Sequence, residues 1–175
     1  MDKAAGFDLK PWFAVRVSSK HERMATQVLQ HKEYETFLPL YKVRRRWSDR
    51  FKIIEAPLFP GYIFCRIDPG NQLPVLTTPG VVQIVSFGKT PAPVEESEIA
   101  ALRAIVNSSL PAKPWPYLRE GQRIRIEYGP LTGVEGILLK FKNQNRLVAS
   151  VTILQRSVAV ELDDDWVSPA PSKQQ

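Results

Sequence analysis

The sequence predicts an α+β sandwich over residues 10–107 followed by a small SH3-like β-barrel over residues 120–167. Three observations predict it. Strand-like and helix-periodic stretches alternate in the first part, and no stretch of the second part has a helical period. Between them, residues 108–119 read SSLPAKPWPYLR, with Pro111, Pro114 and Pro116 close together. Neither a helix nor a central strand persists through such spacing, so this segment is expected to be a linker. It separates a region of about 107 residues from a segment of about 50, near the lower size at which a core is self-sufficient.

In the first part, Trp12–Val17 reads as a strand. Ser18 or Ser19 is placed to cap a helix from about His21 to Lys32, with Met24, Val28 and His31 along one stripe and Ala25 and Leu29 beside it. Residues 35–43 are strand-like, with Pro39 implying an edge or a break. After a long charged excursion, residues 62–67 and 81–86 form further strands. From Glu95 to about Asn107, Ile99, Leu102 and Ile105/Val106 recur at helical spacing, with acids in the first turn where the helix dipole favours them. The predicted order is β-α-β-β-β-α.

In the second part, residues 123–128, 134–141, 147–153 and 157–162 read as four strands. Ile124 and Ile126 point one way and Arg123, Arg125 and Glu127 the other. Glycines 129, 133 and 136 supply unusual backbone angles or close approach where a curled barrel must bend, and residues 142–145 form a turn. Those glycines, Pro130 and the β-branched Val134, Ile137, Val148, Val151 and Ile153 all penalise helix, so the segment is expected to be a constitutive barrel. The Pro/Ser/Gln tail 168–175 is expected to be disordered.

With 175 residues, 43% hydrophobic and 24% charged, the chain has the composition of a globular protein with a real core. A net charge of +6 suits an anionic partner. The single cysteine, Cys65, lies in an apolar strand and fits a core role in a reducing cytosol. No window approaches the ~18 apolar residues of a membrane span, so a cytoplasmic location is expected. His21 and His31 have no ligand partners at useful spacing, and neither a metal nor another cofactor is expected. There is no nucleophile elbow, phosphate loop or paired His–carboxylate motif, and an enzyme is not expected.

Gly129–Gly136, set between an alternating strand and an apolar run, resembles a KOW motif. With Trp12–Val15, the basic run 42–52 and the tetrad Phe59-Pro60-Gly61-Tyr62, the chain from about Lys10 to Val167 resembles the NusG family of transcription elongation factors. The resemblance implies an NGN domain (an antiparallel sheet flanked by helices), a linker and a KOW barrel. It also implies a grip on the clamp helices of the largest RNA polymerase subunit, at the positions of Trp12, Phe59, Pro60, Gly61 and Tyr62. Aromatics suit such an anchor because they bury much area at little entropic cost; the other reading of Trp12 and Phe59 is core. A contact with the gate loop of the second large subunit would fall within residues 68–78.

Lys42, Arg44, Arg45, Arg46, Arg50 and Lys52 place six cations in eleven residues, with Trp47 and Phe51 among them. Such a run is either a solvated hairpin or a nucleic-acid contact, in which cations neutralise phosphates and an aromatic stacks on an unpaired base. In the family this region lies near upstream and non-template DNA. Arg16, Lys20, His21 and Arg23 would extend the same positive face. Housekeeping members carry Phe-Gly-Arg between the last barrel strands, where termination factor Rho or a small-subunit ribosomal protein binds. Here Leu154-Gln155-Arg156 stands instead, which puts those partners in doubt and resembles the specialised paralogues of the RfaH, UpxY and LoaP type. The competing expectation is a KOW-containing RNA- or ribosome-binding protein, which would not need the tetrad.

Overall fold

A strand that is apolar on both faces needs cover on both sides, and that requirement organises the first domain. In the computed structural model, which describes residues 9–118, 121–141, 144–163 and 166–169, strand β1 (Trp12–Val17) is buried at every position except Arg16. Helix α1 (Glu22–His31) follows, then β2 (Thr36–Phe37), β3 (Leu40–Arg46), β4 (Phe51–Pro57) and β5 (Tyr62–Arg66). A single turn of helix α2 (Leu73–Leu76) leads to β6 (Val81–Ile84) and three two-residue strands, β7 (Ser86–Phe87), β8 (Thr90–Pro91) and β9 (Pro93–Val94). Helix α3 (Glu96–Asn107) closes the domain.

The main sheet has the order β2-β5-β1-β6, with β9 also on β1, and every pairing is antiparallel. Cross-strand partners share a face. Phe13, Val15, Ile63 and Cys65 point toward α1, where Ala25 and Leu29 complete one core. Trp12, Ala14 and Phe64 point the other way, into a core with Ile99, Leu102 and Ile105 of α3. Burial pushes the Cys65 thiol up to about 12, with Glu35 adding to the effect, so it is an inert core group.

The stripe of α1 differs from the predicted one. Glu22, Ala25, Thr26 and Leu29 face the sheet, whereas Met24 and His31 are exposed and Val28 is half-buried. The helix takes His21 as its N-cap with no side-chain cap, so neither Ser18 nor Ser19 plays the predicted part. Pro39 does break the strand-like stretch, into β2 and β3.

Arg66, at the end of β5, ties the sheet to α3. Its Nε donates to Glu35 Oε2 at 2.8 Å, its Nη2 to Glu96 Oε1 at 2.7 Å and its Nη1 to the Lys10 carbonyl at 2.8 Å. Its guanidinium lies 4.6 Å from the centre of the Trp12 ring. The hydrogen bond from Arg66 holds the Glu96 carboxyl below the usual carboxylate range, against a smaller opposing effect of burial.

The second domain is all β. It comprises β10 (Ala112–Pro116), β11 (Gln122–Ile126), β12 (Glu135–Phe141), β13 (Gln144–Val151), a 3-10 turn at Thr152–Leu154, β14 (Arg156–Leu162) and β15 (Val167–Pro169), in the order β10-β14-β13-β12-β11-β15. Ile124, Ile126, Leu131, Leu147, Val151, Val158 and Val160 fill its interior. The segment expected to be all linker therefore contains a strand, and residues 168–169 of the expected tail pair with β11. Residues 170–175 lie outside the described residues, as do Lys142 and Asn143 of the predicted turn. Gly136 is needed for close approach: a Cβ there would meet the Val148 carbonyl oxygen and Leu147 Cδ1 at 2.6 Å each.

Two outcomes are expected. Gly136→Ala lowers barrel stability by ~1–3 kcal/mol, because the Val148 backbone as well as the Leu147 side chain must give way; an unchanged unfolding midpoint would contradict this. Because the Glu96 pKa is depressed in the folded chain, its contribution is full above the ordinary carboxylate range and is lost as pH falls through the folded value. Urea titrations from pH 7 to pH 3 should show a decline that is smaller in Glu96→Gln than in the wild type; an identical decline in both would contradict this.

Candidate interaction surfaces

The Phe59-Pro60-Gly61-Tyr62 turn is built by three elements. Phe59 is 1% exposed and meets Phe64 edge-on at 5.7 Å, so the chain enters the turn from the core. The Tyr62 N–H closes it onto the Phe59 carbonyl at 3.0 Å, and the Gly61 carbonyl accepts from Val17 N–H at 2.8 Å. Gly61 holds φ +84°, a conformation that strains any residue with a Cβ. Its N–H donates to Glu22 Oε1 at 2.9 Å, and Glu22 is itself only 7% exposed. The first turn of α1 thus clamps the turn and presents Pro60 outward, with Tyr62 half-buried beside it.

Trp12 is fully buried, with its indole N–H directed at Glu96 Oε1 (3.4 Å) and with Arg66 and Arg103 over its ring. Trp12 and Phe59 are core residues in this conformation, and the surface at this site belongs to Pro60, Gly61 and Tyr62. Sequence alone allowed either reading, since an aromatic serves a core and an interface equally well.

The basic run is a β-ribbon. β3 and β4 pair over their full length, from Leu40↔Pro57 to Arg46↔Phe51, as a two-stranded sheet of their own. Trp47 and Arg50 close the tip by mutual backbone hydrogen bonds of 2.7 and 3.3 Å. One face carries Lys42, Arg44 and Arg46 opposite Glu55, Ile53 and Phe51; the other carries Arg45 opposite Lys52. Arg44 lies 4.0 Å from the Phe51 ring centre and Lys52 lies 5.4 Å from that of Trp47. Cations and aromatics therefore stand together on both faces. Trp47, Phe51 and Ile53 are all more than half exposed. Arg16, Lys20 and His21 are exposed, and Arg23 reaches the base of the ribbon through Glu55 at 3.2 Å.

Leu154, Gln155 and Arg156 turn toward the first domain. Leu154 is half-buried against the shared core, and Gln155 takes a left-handed conformation at φ +51°. The Arg156 guanidinium lies 5.0 Å from the Tyr62 ring centre, and its Nη1 donates to the Pro60 carbonyl at 3.3 Å. Nearby, Glu98 of α3 accepts from Thr152 Oγ1 at 2.7 Å and from Thr152 N–H at 3.1 Å. The barrel residues singled out by the sequence thus sit on the turn singled out by the sequence. No local pattern announces Glu22, Glu98 or this meeting, because each depends on partners distant in sequence.

In the gate-loop segment, Asp68 Oδ1 accepts from Gly70 N–H, and Leu73 and Leu76 of α2 are exposed. Among the described residues no group of His, Cys, Asp or Glu gathers as a metal site, and no helix is long and apolar enough to cross a membrane.

A helix-flanked antiparallel sheet bearing this turn, followed by an SH3-like barrel, is a two-domain build consistent with the fold of NusG-type transcription factors. The family model for transcription termination factor NusG matches residues 10–103, and the chain belongs to the NusG family. The transcription termination/antitermination protein NusG of Thermus thermophilus is 26% identical over 180 residues, covering 91% of this chain and 98% of the relative. NusG of Escherichia coli K12 is also 26% identical, covering 92% and 97%. A solved structure of Thermotoga maritima NusG that records a domain interaction shares the fold at a TM-score of 0.56 and 22% identity, covering 93% of this chain and 98% of its own.

The clamp on the turn is testable. Glu22→Ala leaves the Gly61 N–H without its acceptor and should cost ~1–3 kcal/mol, with faster exchange of the Gly61 amide. Unchanged exchange there would show that the carboxylate does not hold the turn.

Proposed function

We propose that this chain is a non-enzymatic elongation and antitermination factor that docks on RNA polymerase through the Phe59–Tyr62 turn. Its ribbon then lies along nucleic acid of the transcription complex, and its barrel recruits a further partner. The observation that carries this reading is the pairing, on one domain, of a rigidly clamped turn with a projecting ribbon whose cations and aromatics face outward on both sides. Pro60 and Tyr62 offer an apolar surface with a polar tip, suited to the end of a helical hairpin such as the polymerase clamp helices. Arg44, Arg45, Arg46, Arg50, Lys42 and Lys52 neutralise phosphates, and Trp47 or Phe51 stacks on an unpaired base of the non-template or upstream strand.

A factor that binds the closed, elongating state of polymerase better than the paused state shifts the enzyme toward elongation by that difference in affinity. Arg156 covers Tyr62, so the barrel and polymerase compete for the same turn, and docking displaces the barrel. Leu154, packed inward here, lacks the ring and the adjacent glycine of the housekeeping sequence, which supports a specialised paralogue with a barrel partner other than Rho or the ribosome.

Purified-component transcription tests this reading. The wild-type chain should bind polymerase and shorten pauses. Tyr62→Ala should weaken binding by about tenfold or more, as loss of an aromatic anchor does, and Arg156→Ala should strengthen it by freeing the turn. A variant with Lys42, Arg44, Arg45 and Arg46 all replaced by Ala should bind with a shallower dependence on salt. A chain that neither binds polymerase nor alters pausing, but binds ribosomal RNA, would replace this reading with that of a ribosome- or RNA-binding protein. Full affinity in Tyr62→Ala would move the anchor elsewhere.

A further inference from the structure

The proline cluster 111–116 runs along the edge of the barrel. Strand β10 pairs antiparallel with β14 from Ala112↔Val160 to Pro116↔Arg156. The Glu161 N–H donates to the Pro111 carbonyl at 3.2 Å, which sets the phase of the ladder. In that phase residues 111, 113 and 115 turn their backbone polar groups to β14, and residues 112, 114 and 116 turn theirs away. Pro114 and Pro116 therefore stand where an N–H would face outward, so they cost the β10–β14 ladder nothing and leave the outer edge with few donors.

Side chains and hydroxyls complete the contact. Lys113 Nζ and the Arg146 guanidinium lie 5.2 and 5.3 Å from the centre of the Trp115 ring. Beyond the strand, Ser157 Oγ accepts from the Leu118 N–H at 3.1 Å, and Ser150 Oγ donates to the Leu118 carbonyl at 3.1 Å. The two hydroxyls are 2.6 Å apart, and Ser157 is 1% exposed. Both backbone groups of one residue are thus read by a serine pair, Ser157 buried and Ser150 half-buried. The features recognised are an extended backbone, prolines at alternate outward positions and a tryptophan beside cations.

We propose that the β14 edge and the Ser150–Ser157 pair form a binding site for an extended, proline-spaced segment, and that the chain fills it with its own residues 111–118 whether or not the domains touch. The segment then belongs to the barrel, and the joint between the domains is only residues 108–110. Three residues bridge at most about 14 Å between Asn107 and Pro111, whereas a free linker of residues 108–119 would span about 45 Å. A barrel released from α3 stays beside the first domain, and any partner it recruits is held there too. This inference does not depend on polymerase being the partner of the first domain.

Amide exchange by NMR on the full chain tests it. The release variant carries Glu98→Ala, which removes the acceptor of Thr152, and Ala104→Arg, which puts a bulky cation between α3 and β13; shift changes in α3, at Pro60–Tyr62 and in residues 150–156 together report the parting. The Lys113 and Trp115 amides should stay as protected as in the wild type. Exchange of these amides at free-chain rates in the release variant would overturn the proposal, since β10 would then owe its order to domain contact. In a second arm, Trp115→Ala combined with Ser157→Ala should speed Lys113 exchange about tenfold or more while leaving Ile124 unchanged. No effect on Lys113 would equally overturn the assignment, and this arm decides whether or not the domains part.

Discussion

Everything in the first domain depends on covering both faces of β1. The strand has three strand neighbours, and its alternate side chains enter two different cores, one closed by α1 and one by α3. Removing either helix would expose a row of apolar groups to water at ~25 cal/mol per Å². That constraint places the functional geometry as well. The end of β1 receives the Gly61 carbonyl, the start of α1 supplies the Glu22 carboxylate, and between them they set the angle at which Pro60 and Tyr62 emerge.

The same layering brings the barrel into register with the turn. Because α3 buries Ile99, Leu102 and Ile105 against the sheet, its opposite side offers Glu98, Ala101 and Ala104 to β13 and the turn after it. Small side chains let the two units approach closely, and Glu98 fixes their offset through Thr152. Arg156 then falls over Tyr62. Two surfaces that read as separate sites along the chain are one contact in the fold.

Elements set by local pattern were legible in the sequence. The apolar run at Trp12–Val17, the acids before Ile99 and the alternation around Ile124 each specify an element without outside help. What escaped was set by distant partners. Glu22 reads as an acid in a first helical turn, and its bond to a residue 39 positions away has no local sign. The α1 stripe is rotated from the predicted one because Glu22, Ala25, Thr26 and Leu29, spaced 0, 3, 4 and 7, face the sheet, with Glu22 held there by the Gly61 N–H. Strand β10 did leave a mark, the two-residue spacing of Pro114 and Pro116, which fits an edge strand as well as it fits a linker. Trp12 and Phe59 were legible as important but not as buried, because hydrophobicity alone does not say which side of an interface a ring occupies.

The outer part of the ribbon, from Lys42 to Lys52, stands apart from both cores and pairs only with itself. Its side chains contribute little to holding the rest of the molecule together, so their identity is not constrained by folding. Over evolutionary time such a segment is free to exchange charges and rings, and one scaffold can present a different set of them without first being made more stable.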